Sequence, residues 1–311
     1  MSTKTSYSFL AIGKTQESTE ASEGFKRYVG LAASKVLAVN PKKEELDALM
    51  GYESKEEPEY VKEDDKGKMA IINFIVRTDP EANDDGIEIT TRASITLRPT
   101  PAYNKDNSKV QVIDQYGNFT WIDTETAKAG NKPENVSKLD KYRMACVGEC
   151  ALVDFLKKYL NVPDAYAYKN DTWVKKEGDK AEEGIFGLEH ISDYFKGDFS
   201  ELREALALQP NNKIKLLYGV RTADNGNQFQ AVCTREQLML SNAATDKGIA
   251  KLEKDLAKAK ESGFAPNTVY KVQELQEYTV QPTDLSTPVS QPESSDDLPF
   301  APSFGKVPWE Q

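Results

Sequence analysis

The chain has 311 residues, 39% of them hydrophobic, enough for a core, and no apolar run approaches the roughly 18 residues of a membrane span, so no membrane partner is expected. Met1–Lys14 lacks the charged-then-apolar pattern of a secretion signal, and three cysteines suit a reducing cytoplasm better than a secreted disulfide framework. The net charge of −10 is concentrated in residues 41–66, with ten Asp/Glu against five Lys/Arg, and in residues 281–311, with five against one, so the acidic pI does not exclude a locally basic binding face.

Short β-like runs dominate the first 125 residues. "TSYSFLAI" and "FKRYVGLAASKVLAV" precede "PKKEELDALMG", whose Pro41 suits a first helical turn. After the acidic "ESKEEPEYVKEDDK", "MAIINFIVRT" reads as a largely buried strand. In "IEITTRASITLR", Ile87, Ile89, Thr91, Ala93, Ile95 and Leu97 alternate with Glu88, Thr90, Arg92, Ser94, Thr96 and Arg98. This period of two predicts one face on a core and the other toward solvent or a ligand. "VQVIDQYGNFTWI" predicts a hairpin with Gly117-Asn118 as its turn, which sets Tyr116 opposite Phe119 and Asp114 opposite Trp121, with three aromatic rings on one face.

Farther on, "ACVGECALVDFLKKYLN" carries Leu152, Phe155, Leu156 and Tyr159 at helical spacing. In "GDFSELREALAL", Asp198 followed three residues later by Glu201 resembles a capping box. "NKIKLLYGVR" and "QFQAVCT" predict a second hairpin, with Ile214, Leu216, Tyr218 and Val220 on one face and Lys213, Lys215 and Arg221 on the other. "TDKGIAKLEKDLAKAKESG" reads as a charged helical arm with a narrow stripe of Ile249, Leu252 and Leu256, or as half of a helical hairpin. "TVYKVQELQEYTV" reads as a closing strand. From Gln281 onward six of the fifteen prolines fall in thirty-one residues without periodicity, and a disordered tail is expected.

No phosphate-cradling GxxxxGK[ST], GxGxxG or GxSxG is present, and the one histidine, His190, is remote in sequence from Cys146, Cys150 and Cys233. A nucleophilic triad is not expected. Those four residues could in number make a structural zinc site, but Cys146 and Cys150 are four apart on a predicted helix; three small buried hydrophobes are the reading adopted, with no metal and no cofactor. Paired carboxylates in "KEEL", "KEEPE" and "KEDDK" alternate with lysines as a solvated surface does.

A single-strand binder needs cations along the phosphates and aromatic faces for the bases. The candidates are Arg92 and Arg98 on the polar face of one strand, Lys105 and Lys109 after it, Lys213, Lys215 and Arg221 on the later hairpin, and the rings of Tyr116, Phe119 and Trp121. The tail closes on Asp296, Asp297, Leu298, Pro299 and Phe300, "DDLPF", which resembles the acidic tips through which single-stranded DNA-binding proteins dock on basic, apolar-pocketed partners. In that family the tip normally ends at its Phe, whereas here "APSFGKVPWEQ" follows, with a second apolar set in Phe304, Pro308 and Trp309.

A wider resemblance covers most of residues 7–300. "FKRYVGLAASKVLAVNPKKEELDALMG", "EEPEYV", "KVQVIDQYGNFTWI", "YFKGDFSELREALALQPNNKIKLLYGVRT" and "DDLPF" are similar to the single-stranded DNA-binding proteins of crAss-like tailed phages. The resemblance implies an OB-type β-barrel acting in replication or recombination, without strong sequence preference, in the cytoplasm of an infected bacterium. The expectation is thus a β-rich α+β body over residues 1–280, OB-like, with helical insertions at about 145–210 and a helical arm at about 245–262. Residues 281–311 would form a disordered acidic tail that recruits phage or host replication proteins. Two rivals stay open: a virion-associated or structural interaction protein with an acidic docking tail, and a metal-dependent nucleic-acid enzyme.

Overall fold

A computed structural model of the chain describes residues 7–8, 26–81, 88–114, 118–131, 142–160, 166–169, 172–175, 191–207, 210–223, 228–261, 268–270 and 278–280. The first half contains β1 (Tyr7–Ser8), β2 (Lys26–Tyr28), β3 (Gly30–Val39), α1 (Lys43–Met50), β4 (Val61–Asp64), β5 (Gly67–Thr78), β6 (Ile89–Pro101), β7 (Lys109–Asp114), β8 (Phe119–Asp123), α2 (Thr124–Lys128), β9 (Tyr142–Met144), β10 (Cys146–Val147) and α3 (Glu149–Tyr159). The second contains β11 (Tyr166–Lys169), β12 (Thr172–Lys175), α4 (Ile191–Tyr194), α5 (Ser200–Ala207), β13 (Ile214–Thr222), β14 (Gln228–Val232), β15 (Met239–Ser241), α6 (Asp246–Glu261), β16 (Thr268–Tyr270) and β17 (Tyr278–Val280).

The strands β6, β5, β3, β13 and β14 lie side by side, each antiparallel to the next. Shorter strands extend this sheet: β4 beside β5, β15 and β16 beside β13, β10 beside β6, and β1 in parallel with the start of β6. The sheet curls into a half-barrel. Just past β14 the hydroxyl of Thr234 donates to the carbonyl of Ser94 in β6 at 2.7 Å, and a cleft of about 270 Å³ stays open at that seam, lined by Ile95, Thr96, Gly148, Val232 and Cys233.

The two faces of the sheet are covered differently because its strands alternate. On the inner face Ala32, Ile72, Phe74, Ala93, Ile95, Leu216 and Tyr218 pack with α3, α4 and α5 in the main core. Phe74 and Phe155 stack at 4.1 Å between ring centroids, and burial of each such side chain contributes about 1.5–3 kcal/mol. On the outer face α1 covers Leu37, Ala38 and Ile75 through Leu46 and Met50. The longer α6 covers Leu31 and Leu217 through Leu252, Leu256 and Ala259.

Local chemistry explains several boundaries. α1 ends where Gly51 takes a left-handed conformation (φ 73°) and its N–H reaches the carbonyl of Asp47, the usual use of glycine after a helix. The chain turns from β3 into α1 at the buried, left-handed Asn40, whose side chain donates to the Ile71 carbonyl and accepts from the Asn73 N–H. Asp198 does sit before α5, but it accepts from the N–H and hydroxyl of Ser200.

The helix read as a charged arm forms as α6 and packs on the outer face through its apolar stripe. Two expectations are corrected. Cys146 lies in β10, ahead of the helix that holds Cys150. The last β-like run forms two short strands, β16 beside β13 and β17 beside β2. A separate three-stranded sheet, ordered β8-β7-β9, buries Val110, Val112 and Ile122 against Ala127 of α2.

Candidate nucleic-acid interface

The β7–β8 hairpin forms, with a register different from the sequence expectation. Ile113 pairs with Phe119 and Gln111 with Trp121, because Asp114 closes the turn on Asn118: the Asn118 N–H donates to the Asp114 carboxylate, and the Asp114 N–H to the Asn118 carbonyl. The expected partner of Trp121 was Asp114, and this is corrected. Tyr116 lies outside the described residues. Phe119 is partly buried and packs against the main core. Trp121 is 39% exposed and is the open ring of the expected trio among the described residues. Its cross-strand partner Gln111 is buried and donates to Glu236. Lys109 stands diagonally across from Trp121 on the same face, and both Lys105 and Lys109 are exposed. Tyr103, bridged to Val110 on the opposite face of this sheet, is exposed as well and was not singled out from the sequence.

Arg92 and Arg98 do lie on the polar side of β6, but that side is not open to solvent. Arg92 is 9% exposed, donates to the Tyr52 hydroxyl, and has its guanidinium 5.9 Å from the Tyr52 ring centroid. Arg98 grips Asp64 of β4 with two nitrogens, at 2.8 and 2.5 Å. The hydrogen bond from Arg98 holds the Asp64 carboxyl down at about 2. A bidentate pair of this kind is committed geometry, and both arginines are corrected from candidate phosphate contacts to internal ones.

The two lysines of the later hairpin meet partners that the sequence reading missed. Ile214 pairs with Ser34 and Lys35 with Arg77, so Lys213, one residue before β13, continues a row with Lys35 on β3, Arg77 on β5 and Thr90 on β6. One step along the strands, Lys215 pairs with Ala33, whose carbonyl accepts the Asp79 N–H. All of these side chains project from the outer face. Asp79 is 3% exposed and its carboxylate pairs with Lys213 and, at 3.6 Å, with Lys35. Burial works to raise the Asp79 carboxyl, but hydrogen bonds from Lys213 and the Glu81 N–H, with the charge of Lys35, outweigh it and hold the group below the usual aspartate range. Arg77 donates to Thr90 at 2.8 Å and lies 3.5 Å from Glu88. Lys215 reaches the Ala244 carbonyl at 3.3 Å. Arg221 is at the far end of β13, paired with Phe229, about 20 Å along the strand from Lys215; the structure does not bring it to this row.

Cys150 belongs to the main core and Cys233 to the core under α6. Burial pushes the Cys146 and Cys233 thiols up to about 12 and raises that of Cys150 as well. Among the described residues no group of three or more His, Cys, Asp or Glu is placed to hold a metal ion; His190 lies outside them, as do Asp296, Asp297, Leu298, Pro299 and Phe300. No helix among the described residues is long and apolar enough to cross a membrane. No protein-family model, curated protein or solved structure matches the chain.

Proposed function

We propose that this chain is a non-catalytic single-stranded DNA-binding protein of the kind found in crAss-like tailed phages, with the half-barrel as an OB-like body. It would coat and protect DNA during replication or recombination in the cytoplasm of the host, using no cofactor. Its acidic tail would recruit phage or host replication proteins through Asp296–Phe300. The observation that carries this reading is Trp121: a large ring left open on the face of a hairpin, with Lys109 at the diagonal position. Base stacking on an aromatic face contributes about 1–3 kcal/mol per base, and a neighbouring cation serves the phosphate.

The test is a titration of the full chain with oligo-dT and with a matched duplex at about 50 and 200 mM salt, followed by tryptophan fluorescence. Tight, salt-sensitive binding to the single strand with quenching is expected. Because the chain also contains Trp173 and Trp309, the same titration with Trp121→Ala assigns the signal. The variant is expected to bind about five-fold or more weaker and to lose most of the quenching. Absence of binding at both salts overturns the reading and favours the interaction-protein rival, which keeps the tail as its functional element.

A further inference from the structure

Resting on that reading, we infer that the outer face of the half-barrel carries a second contact for the single strand, a phosphate track formed by Lys213, Lys35 and Arg77 with Lys215 beside them. Three cations stand abreast on neighbouring strands. Strands lie about 4.8 Å apart, so the row spans about 10 Å across the sheet. Like charges directly opposite one another on paired strands destabilise a sheet, and this sheet holds three of them in line. Among the described residues Asp79 and Glu88 are the carboxylates paired with Lys213, Lys35, Arg77 and Lys215, two against four cations. A polyanion laid across the strands would neutralise the remainder.

The place suits such a ligand. α1 covers Leu37, Ala38 and Ile75, and α6 covers Leu31 and Leu217. In the register of β3 and β13 the cationic row falls between those two covered patches. It therefore lies on the outer face between the patches that the two helices cover. Lys35 and Arg77 each keep 36% of their side-chain surface exposed there, while Thr90 is buried at the end of the row and accepts from Arg77. Among the described residues this strip holds cations and no large exposed hydrophobic ring, which suits phosphate oxygens and not bases. Base contact stays with Trp121, whose sheet joins the body beyond Pro101, toward the other end of β6. Thr90 and Pro101 are eleven residues apart on that strand, about 37 Å. One strand that reached both contacts would run along the body.

The experiment uses full-length Lys35→Gln and Arg77→Gln and their double variant, titrated with a long oligo-dT across a salt series. Each single variant is expected to bind about three- to ten-fold weaker at low salt and to lower the slope of log affinity against log salt by about 0.7. The saturating Trp121 quench should remain. Wild-type affinity and slope in both variants would overturn the track while leaving the Trp121 contact standing. Failure of the wild-type chain itself to bind oligo-dT overturns the functional reading beneath it. Should the glutamine variants not fold, Glu88→Gln decides: it removes a partly exposed counter-charge from the row and is expected to tighten binding about two- to three-fold, and unchanged or weaker binding would overturn the inference.

Discussion

Substituting Asp79→Asn separates the two roles of the carboxylate beneath the cationic row. Its side chain is 2% exposed and pairs with Lys213 and, at 3.6 Å, with Lys35, while its Oδ1 accepts the Glu81 N–H at 3.2 Å. The amide keeps the shape and the Glu81 contact but loses the charge-assisted bond to Lys213, an interaction of about 1.5–3 kcal/mol. A loss of about 2 kcal/mol would lower the melting temperature of a body this size by about 4–8 °C. The folded carboxyl titrates below its ordinary range, so its stabilisation is complete above the unfolded value of about 3.9 and is lost as pH falls through the lower folded value. The gap in melting temperature between wild type and variant should therefore be full at pH 7 and close in acid. DNA affinity should move the other way. At ~7 Å a carboxylate repels a phosphate charge by about 0.6 kcal/mol in a water-like dielectric, so removing it tightens binding about three-fold. Thermal melts from about pH 3 to 7, with oligo-dT titrations at neutral pH, read both effects. A variant that melts like the wild type and binds no more tightly would refute the reasoning.

Three further outcomes follow from the geometry. Arg98→Gln should lower the melting temperature, because it strands Asp64, yet leave oligo-dT affinity within about two-fold of wild type by titration; a large loss of affinity would return Arg98 to the DNA. Gly148→Ala should cost about 2–5 kcal/mol in chemical denaturation, because Gly148 is left-handed (φ 81°) and an added Cβ would overlap the Thr96 carbonyl oxygen. Deleting residues 281–311, which carry five acidic residues against one lysine, should tighten oligo-dT binding at low salt and leave it unchanged at high salt, where screening removes the competition.

Much of the body is legible in the sequence because its long elements carry strong periods. β6 alternates as its residues do, and α3 buries Leu152, Phe155, Leu156 and Tyr159 as their spacing requires. The β7–β8 register is not legible in the same way. "YGN" offers more than one turn, and the one that forms is selected by the Asp114 carboxylate on the Asn118 N–H. That choice changes which residues face one another and leaves Phe119 partly buried against the core and Trp121 open. The row of Lys213, Lys35 and Arg77 is hidden for a different reason. Its members are separated by 42 and 136 residues in the chain, and only the order β5-β3-β13 sets them side by side. No local pattern announces that Lys35, inside an apolar run, or Arg77, at the end of a buried strand, belongs with the lysines of a distant hairpin.

The alternation in β6 tells which residues share a face, but not what lies over it. On that one polar face Arg92 meets Tyr52 and Arg98 meets Asp64, while Thr90 accepts from Arg77 beside it. The acidic stretch 41–66 supplies both covers: Tyr52 accepts from Arg92 and Asp64 binds Arg98, while Asp47, also in that stretch, holds Lys43 and Ser54 in place. Part of the negative charge that makes the chain acidic overall is thus engaged in holding elements together. Arg98 is neutralised by a carboxylate fixed on β4, whereas Lys213, Lys35, Arg77 and Lys215 outnumber by two the carboxylates paired with them among the described residues. Local balance of this kind, and not the net charge of −10, sets where a polyanion can lie on the surface.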